Sequence, residues 1–163
     1  AWCNLGVVFM RLSQFAKAEQ CFTNALTLKP NYINVLLNYG KTLIVLGRRS
    51  EAAHILTRAL EYQPHCIQAR LDLSALYTEA GDFLDAAELL EQSLEQQPEN
   101  SLAYYHLGNL FKATSQIEEA IECFERFCRL ETEQEAGRFL EMVPVVQKEC
   151  AELQAKRGVR SGG

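Results

Sequence analysis

The sequence predicts an all-α fold: a solenoid of four helical hairpins closed by a C-terminal capping helix. Three observations predict it. Apolar residues recur at helical spacing along the chain, and no segment alternates at period two, so no strands are expected. The chain repeats itself at a spacing of 34, with Ala18, Ala52, Ala86 and Ala120 in one column and Pro30, Pro64 and Pro98 in another. Helix breakers fall at the same point of every unit: Ser13, Gly47, Gly81 and Ser115.

The units read as 1–32, 33–66, 67–100 and 101–134. In the first, apolar spacing runs from Trp2 to Leu12 and again from Phe15 to Leu28. Gly6, Gly40 and Gly108 share a column with Ser74; small residues there let the two helices of a hairpin approach closely. Phe22, Leu56, Leu90 and Phe124 form the large-residue column opposite. Each proline stops a second helix and lets the next unit start. Ser115 with Glu118 has the spacing of a capping box for the last second helix. The fourth unit departs from the pattern at Phe127 and Thr132, as a terminal repeat does. A capping helix is expected over 135–157, broken or kinked at Pro144, with a flexible tail over 158–163. The chain thus reads as closed at its C-terminal side. It opens in mid-pattern at Trp2, Leu5 and Phe9, so the N-terminal side reads as excised from something longer.

Composition excludes several classes. With 163 residues, 48% hydrophobic and 23% charged, the chain has the makings of a packed core rather than of disorder. A net charge of -5 argues against a broad nucleic-acid surface, and no apolar stretch is long enough to insert in a membrane. The charge is uneven: units one and two carry +2 each, unit three -7 and unit four -3. No phosphate loop, nucleophile elbow or metalloprotease motif occurs, so no enzyme and no cofactor are predicted. Six cysteines lack any C-x-x-C spacing, so neither metal nor disulfide framework is expected. Cys3, Cys21, Cys123 and Cys128 fall in apolar columns, while Cys66, beside His65 at a turn, is expected to be the most exposed thiol. Unpatterned cysteines suit a reducing, cytoplasmic setting.

The repeat resembles the tetratricopeptide repeat. The family's Trp, Leu, Gly, Tyr, Ala, Phe, Ala, Pro signature reads here as Trp2, Leu5, Gly6, Phe9, Ala18, Phe22, Ala25 and Pro30. The second unit gives Leu36, Tyr39, Gly40, Leu43, Ala52, Leu56, Ala59 and Pro64. The third is looser, with Arg70 and Ser74 in its first half, and the fourth keeps Tyr104, Leu107, Gly108, Phe111, Ala120 and Phe124. The resemblance implies a right-handed superhelix whose first helices line an inner groove and whose second helices face outward. It implies a non-catalytic scaffold that binds an extended or helical segment of a protein partner.

On the implied groove, Asn4, Asn38, Asp72 and His106 make one polar column. It is similar to the asparagine ladder of the O-linked N-acetylglucosamine transferase superhelix, in which amides can serve the backbone of a peptide. Asn is also common at this place across the family, so a purely structural role is the competing reading. Asp72 would select a basic residue, and its nearness would make His106 pH-sensitive. Leu37, Leu71 and Tyr105 form an apolar line that either floors the groove or in part packs between helices, and Lys41 and Asn109 supply further polar anchors. The family's clamp for a terminal carboxylate is not matched: Cys3, Val7, Gln68 and Asp72 stand where it needs other residues, and only Asn38 fits. Two further readings stay open. The chain is a regulatory or substrate-recruiting arm of a larger enzyme such as a glycosyltransferase, or it self-assembles through the face around Trp2.

Overall fold

A computed structural model describes residues 2–133 and 137–160. They are helical with no strand among them: α1 (Trp2–Arg11), α2 (Phe15–Leu28), α3 (Ile33–Val45), α4 (Arg49–Tyr62), α5 (Ile67–Ala80), α6 (Phe83–Gln96), α7 (Ser101–Ala113), α8 (Ile117–Glu133), a 3₁₀ turn (Leu140–Met142) and α9 (Val143–Arg160). They fall into two compact units, Ala1–Leu76 and Tyr77–Gly163.

In the first unit α1 pairs with α2 and α3 with α4, and α2 also lies against α3. The columns explain how. Ala18, Phe22, Ala52 and Leu56 are completely buried. A Cβ on Gly6 would stand 2.5 Å from the Phe22 ring, and one on Gly40 would stand 2.8 Å from Leu56. A methyl group at either place drives a large side chain out of position, so glycine sets the spacing of each hairpin. In the second unit α7 pairs with α8, α6 lies on α7, and α9 lies on α8. Gly108 and Phe124 repeat the same device, with the hypothetical Cβ 2.5 Å from the ring.

The breakers between paired helices share one conformation. Ser13, Gly47, Gly81 and Ser115 all have positive φ, at 56°, 73°, 91° and 63°. Each sits one residue before a 6→1 backbone bond: Gln14 N–H to Phe9, Arg48 to Leu43, Asp82 to Tyr77 and Gln116 to Phe111, at 2.8 to 2.9 Å. This is the Schellman ending, which closes a helix with a left-handed residue. It corrects the expected capping box: a capping residue needs extended backbone, and Ser115 is left-handed. Ser115 therefore ends α7, and Gln116 precedes α8.

The proline loops are equally uniform. Lys29, Gln63 and Gln97 have φ of -143°, -139° and -136°. A following proline forces this extended backbone, which stops the helix. Thr132 stands in that place in the fourth unit, so α8 runs on to Glu133 and reaches 17 residues against 14 for α2, α4 and α6.

Beyond α8 the expectation of one helix over 135–157 needs correction. Residues 134–136 lie outside the described residues, and α9 begins only at Val143. Pro144 is its second residue. It starts the helix instead of kinking it, because a first-turn residue has no helical partner for an N–H. Val143, Val146, Cys150 and Leu153 form its buried stripe against Ala120, Ile121, Phe124 and Phe127. The segment expected to be a flexible tail from Gly158 is helical as far as Arg160, and 161–163 lie outside the described residues.

Candidate functional site

In the first unit, Asn4 and Asn38 come together across α1 and α3. With Cys3, Val7, Tyr32, Asn34, Leu37 and Lys41 they line a cleft of ≈ 340 Å³. Val7, Leu37 and Cys3 give it apolar contact surface; three amides, a phenol and an ammonium group surround them. Helical period explains the grouping, since Asn34, Leu37, Asn38 and Lys41 lie at steps of three and four on one face of α3. The Asn38 amide donates to the Asn34 carbonyl at 2.8 Å within its own helix. Thr42 donates to the Asn38 main-chain carbonyl, also at 2.8 Å.

Asp72, on α5, stands behind Lys41. Its Oδ1 accepts from Gln68 at 3.0 Å, while its Oδ2 is buried with no hydrogen-bond partner and lies 3.9 Å from the Lys41 ammonium. Burial pushes the Asp72 carboxyl above the usual range, against the opposing pull of Lys41 and the Gln68 hydrogen bond. Leu71 is buried in the core at 2% exposure, which is the helix-packing alternative for its place on the apolar line.

In the second unit, Tyr105, His106 and Asn109 are half-buried on α7. The Tyr105 ring packs 6.1 Å from Phe124 and 5.6 Å from Phe127, so it belongs to the hairpin core. His106 lies edge-on to Tyr105 at 5.6 Å. Burial alone lowers its pKa to about 4, so it is neutral through the physiological range. The pH sensitivity expected of His106 is therefore set by burial and lies below neutrality.

Sequence reasoning missed Tyr32 and Asn34, which lie before and at the start of α3. It also missed a polar network that joins α2, α3 and the start of α4. Arg48 donates to both Glu19 oxygens, at 2.7 and 2.8 Å, and forks onto Glu51; the Tyr39 hydroxyl donates to Glu19 at 2.9 Å. In the second unit, Glu131 is buried at 1% exposure, accepts from the Ser101 hydroxyl, and accepts from the Phe139 N–H at 2.6 Å. Cys66, expected to be the most exposed thiol, is buried at 8%. No group of three or more metal-ligating side chains occurs among the described residues, and no helix among them is long and apolar enough to cross a membrane.

Helical hairpins with Gly and Ala at their crossings and proline loops at a fixed interval define an all-α repeat protein of the solenoid class. Tetratricopeptide repeat models match residues 1–32 and 77–126, together about half of the chain. The chain belongs to the tetratricopeptide repeat family. Solved structures agree on the fold. The 41-end form of MamA from Desulfovibrio magneticus RS-1 is 22% identical, with TM-score 0.72 over 99% of this chain and 94% of that one. A tetratricopeptide repeat protein from Parabacteroides merdae is 18% identical, with TM-score 0.81 over 96% of this chain and 59% of that one. YrrB, described as having an unusual peptide-binding site, is 20% identical, with TM-score 0.72 over 91% and 73%. Comparison with curated proteins found no match.

Proposed function

We propose that the chain is a non-catalytic protein-interaction scaffold, and that its first unit holds a segment of a partner protein in the cleft between α1 and α3. One observation carries this reading: Asn4, Asn34 and Asn38 converge with Lys41 around an apolar floor of Val7 and Leu37. Amides offer donors and acceptors together, which suits a peptide backbone of any side-chain sequence. The apolar floor supplies affinity, and Lys41 with Asp72 behind it supplies charge preference. His106 and Asn109 are proposed as positions of the same kind in the second unit, taken by itself. Family membership supports the scaffold role, and YrrB is a relative in fold that carries a peptide site.

The test uses a random peptide library selected on the intact chain. Peptides so obtained are measured by calorimetry against the native chain and an Asn4→Ala, Asn38→Ala double variant of equal melting temperature. A loss of affinity of about tenfold or more, roughly 1.4 kcal/mol, is expected. Unchanged affinity removes the cleft as the binding site.

A further inference from the structure

Two thiols share the core that α9 closes. Cys128 of α8 and Cys150 of α9 are 9% and 7% exposed, and both belong to one apolar cluster with Phe124, Phe127, Val146 and Leu153. Both are free thiols. The register of the helix pair sets them opposite each other. Arg157 Nε lies 3.3 Å from Glu118, and Gln154 donates to Glu125 at 3.3 Å, so α9 runs antiparallel to α8. One turn further along each helix, four residues before Gln154 and three after Glu125, stand Cys150 and Cys128. The Phe139 N–H bond to Glu131 ties the same stretch from its other side. Gln154 and Glu125 meet at the exposed rim, whereas the two cysteines face inward. Burial pushes the Cys150 thiol up to about 11, and the charges of Cys128, Glu125 and Glu149 add to it. Burial raises the Cys128 thiol as well, with Glu125 adding. Cys123, also on α8, lies outside this cluster. The pair is 22 positions apart on two helices, a spacing that no local cysteine motif reports.

We propose that Cys128 and Cys150 form a redox-active dithiol that a low-molecular-weight disulfide oxidises to a cross-link, stapling α9 to α8. The chemistry is thiol–disulfide exchange. One cysteine, as its thiolate, attacks a sulfur of the small disulfide, whose S–S bond breaks to release one small thiol. The thiolate of the other cysteine then attacks the resulting mixed disulfide. The bond between Cys128 and Cys150 forms, and the second small thiol leaves. The protein gives up two electrons and two protons, and the small disulfide takes both to become two thiols. A disulfide needs Cβ atoms about 3.8 Å apart, which inward positions facing across two packed helices approach and outward ones do not. Burial and raised pKa values keep thiolate scarce and hide both sulfurs. Oxidation therefore waits for α9 to lift from α8, and the closed bond is sheltered from reduction in the same way. In the reduced chain α9 is held by packing and by its rim pairs. In the oxidised chain its roof over Phe124 and Phe127 is covalent.

The test treats the intact chain with oxidised glutathione, blocks the remaining thiols by alkylation and digests the product without reductant. Three results are expected: a mass loss of two hydrogens, a linked peptide joining Cys128 to Cys150, and a melting point higher by roughly 5–10 °C that returns to its starting value with dithiothreitol. Cys123→Ser keeps all three. Cys128→Ala, which keeps the core apolar, melts identically under oxidising and reducing conditions. Mixed disulfides that persist at Cys128 or Cys150 without a link overturn the proposal, because they show sulfurs that cannot meet. So does a link from either cysteine to Cys123, or a link between Cys128 and Cys150 that lowers the melting point. If nothing is oxidised in buffer, the reaction is repeated in urea just below the unfolding midpoint, where α9 opens. The link is expected there, and its absence overturns the proposal as well. Neither cysteine lines the cleft between α1 and α3, so this result and the peptide measurement can fail separately.

Discussion

Two outer helices of the repeat pattern meet opposite fates. In the second unit, α8 is roofed by α9, whose Val143, Val146, Cys150 and Leu153 close the core. Charged pairs rim the contact, Lys112 with Glu149 and Arg157 with Glu118. In the first unit, α1 presents Trp2, Leu5, Val8 and Leu12 to solvent. The difference lies in what each sequence offers. Below α8 the chain supplies a stripe at steps of three, four and three on one helix, with polar Lys148, Glu149 and Glu152 on its other sides. Above α1 the described residues supply nothing. An apolar stripe is therefore a demand, and only the partner stripe turns it into stability.

One substitution placed on both faces breaks or sharpens this contrast. Val146→Asp buries an unpaired carboxylate where the side chain is 1% exposed. It should cost about 4 kcal/mol and lower the melting point by roughly 10 °C, with α9 detaching first. Val8→Asp, at 49% exposure, should cost under about 0.5 kcal/mol. Equal losses in urea melts would mean that α1 is covered in solution.

The next effect concerns how α9 is tied down. Glu131 holds Ser101 at the start of α7 and Phe139 ahead of α9. Glu131→Ala leaves two donors without an acceptor and should destabilise by about 2 kcal/mol, while Glu131→Gln keeps an acceptor and should cost about half of that. Hydrogen exchange should show the loss in α9 and α7. A neutral Glu131→Ala would mean that burying the carboxylate costs as much as its bonds return.

Glu131 also shows how far the sequence could be read. Column spacing was enough for the hairpins, their small-residue crossings and the all-α class, because a periodic core leaves a periodic trace. Glu131 falls in the column of Lys29, Gln63 and Gln97, which are loop residues. Only the loss of proline at Thr132 turns that place into helix and folds it inward. The clue was present, but its consequence depends on a long-range contact with Ser101 that no local pattern encodes. Asn4, Asn38 and Lys41 were legible for the cleft because they follow helical period. For Leu71 and Tyr105 the groove and the helix interface stayed open, because an apolar column does not say whether it meets a ligand or a neighbouring helix; both pack against the core.

A smaller effect is set by pH. His106 titrates at about 4 when folded, below its ordinary 6.5. Below pH 6.5 the unfolded chain takes up a proton that the folded chain refuses. Stability should therefore fall as pH drops from 6.5 to 4 and level off below. His106→Gln should remove that slope from a series of melts. Asp72 runs the other way at lower pH: its raised carboxyl favours the folded state in acid, and that contribution is lost as pH rises through its folded value. The difference between the native chain and His106→Gln isolates the His106 slope from that of Asp72.

The smallest effect compares the two units at their turns. Ser13 and Ser115 hold the left-handed place that Gly47 and Gly81 hold elsewhere. For an L-residue that conformation costs about 1 kcal/mol, partly offset by the greater freedom glycine gives the unfolded chain. Ser13→Gly and Ser115→Gly should each raise stability by a few tenths of a kcal/mol, about 1 °C in melting. Gly47→Ala and Gly81→Ala should each lower it by about 1 kcal/mol, since open space around both glycines leaves the backbone as the only cost. If Ser115→Gly instead destabilises, the serine hydroxyl contributes something at that turn that Ser13, Gly47 and Gly81 do not share. A gain at Ser13 alone would then show that the turn into α8, the helix under the α9 roof, is held by more than its backbone.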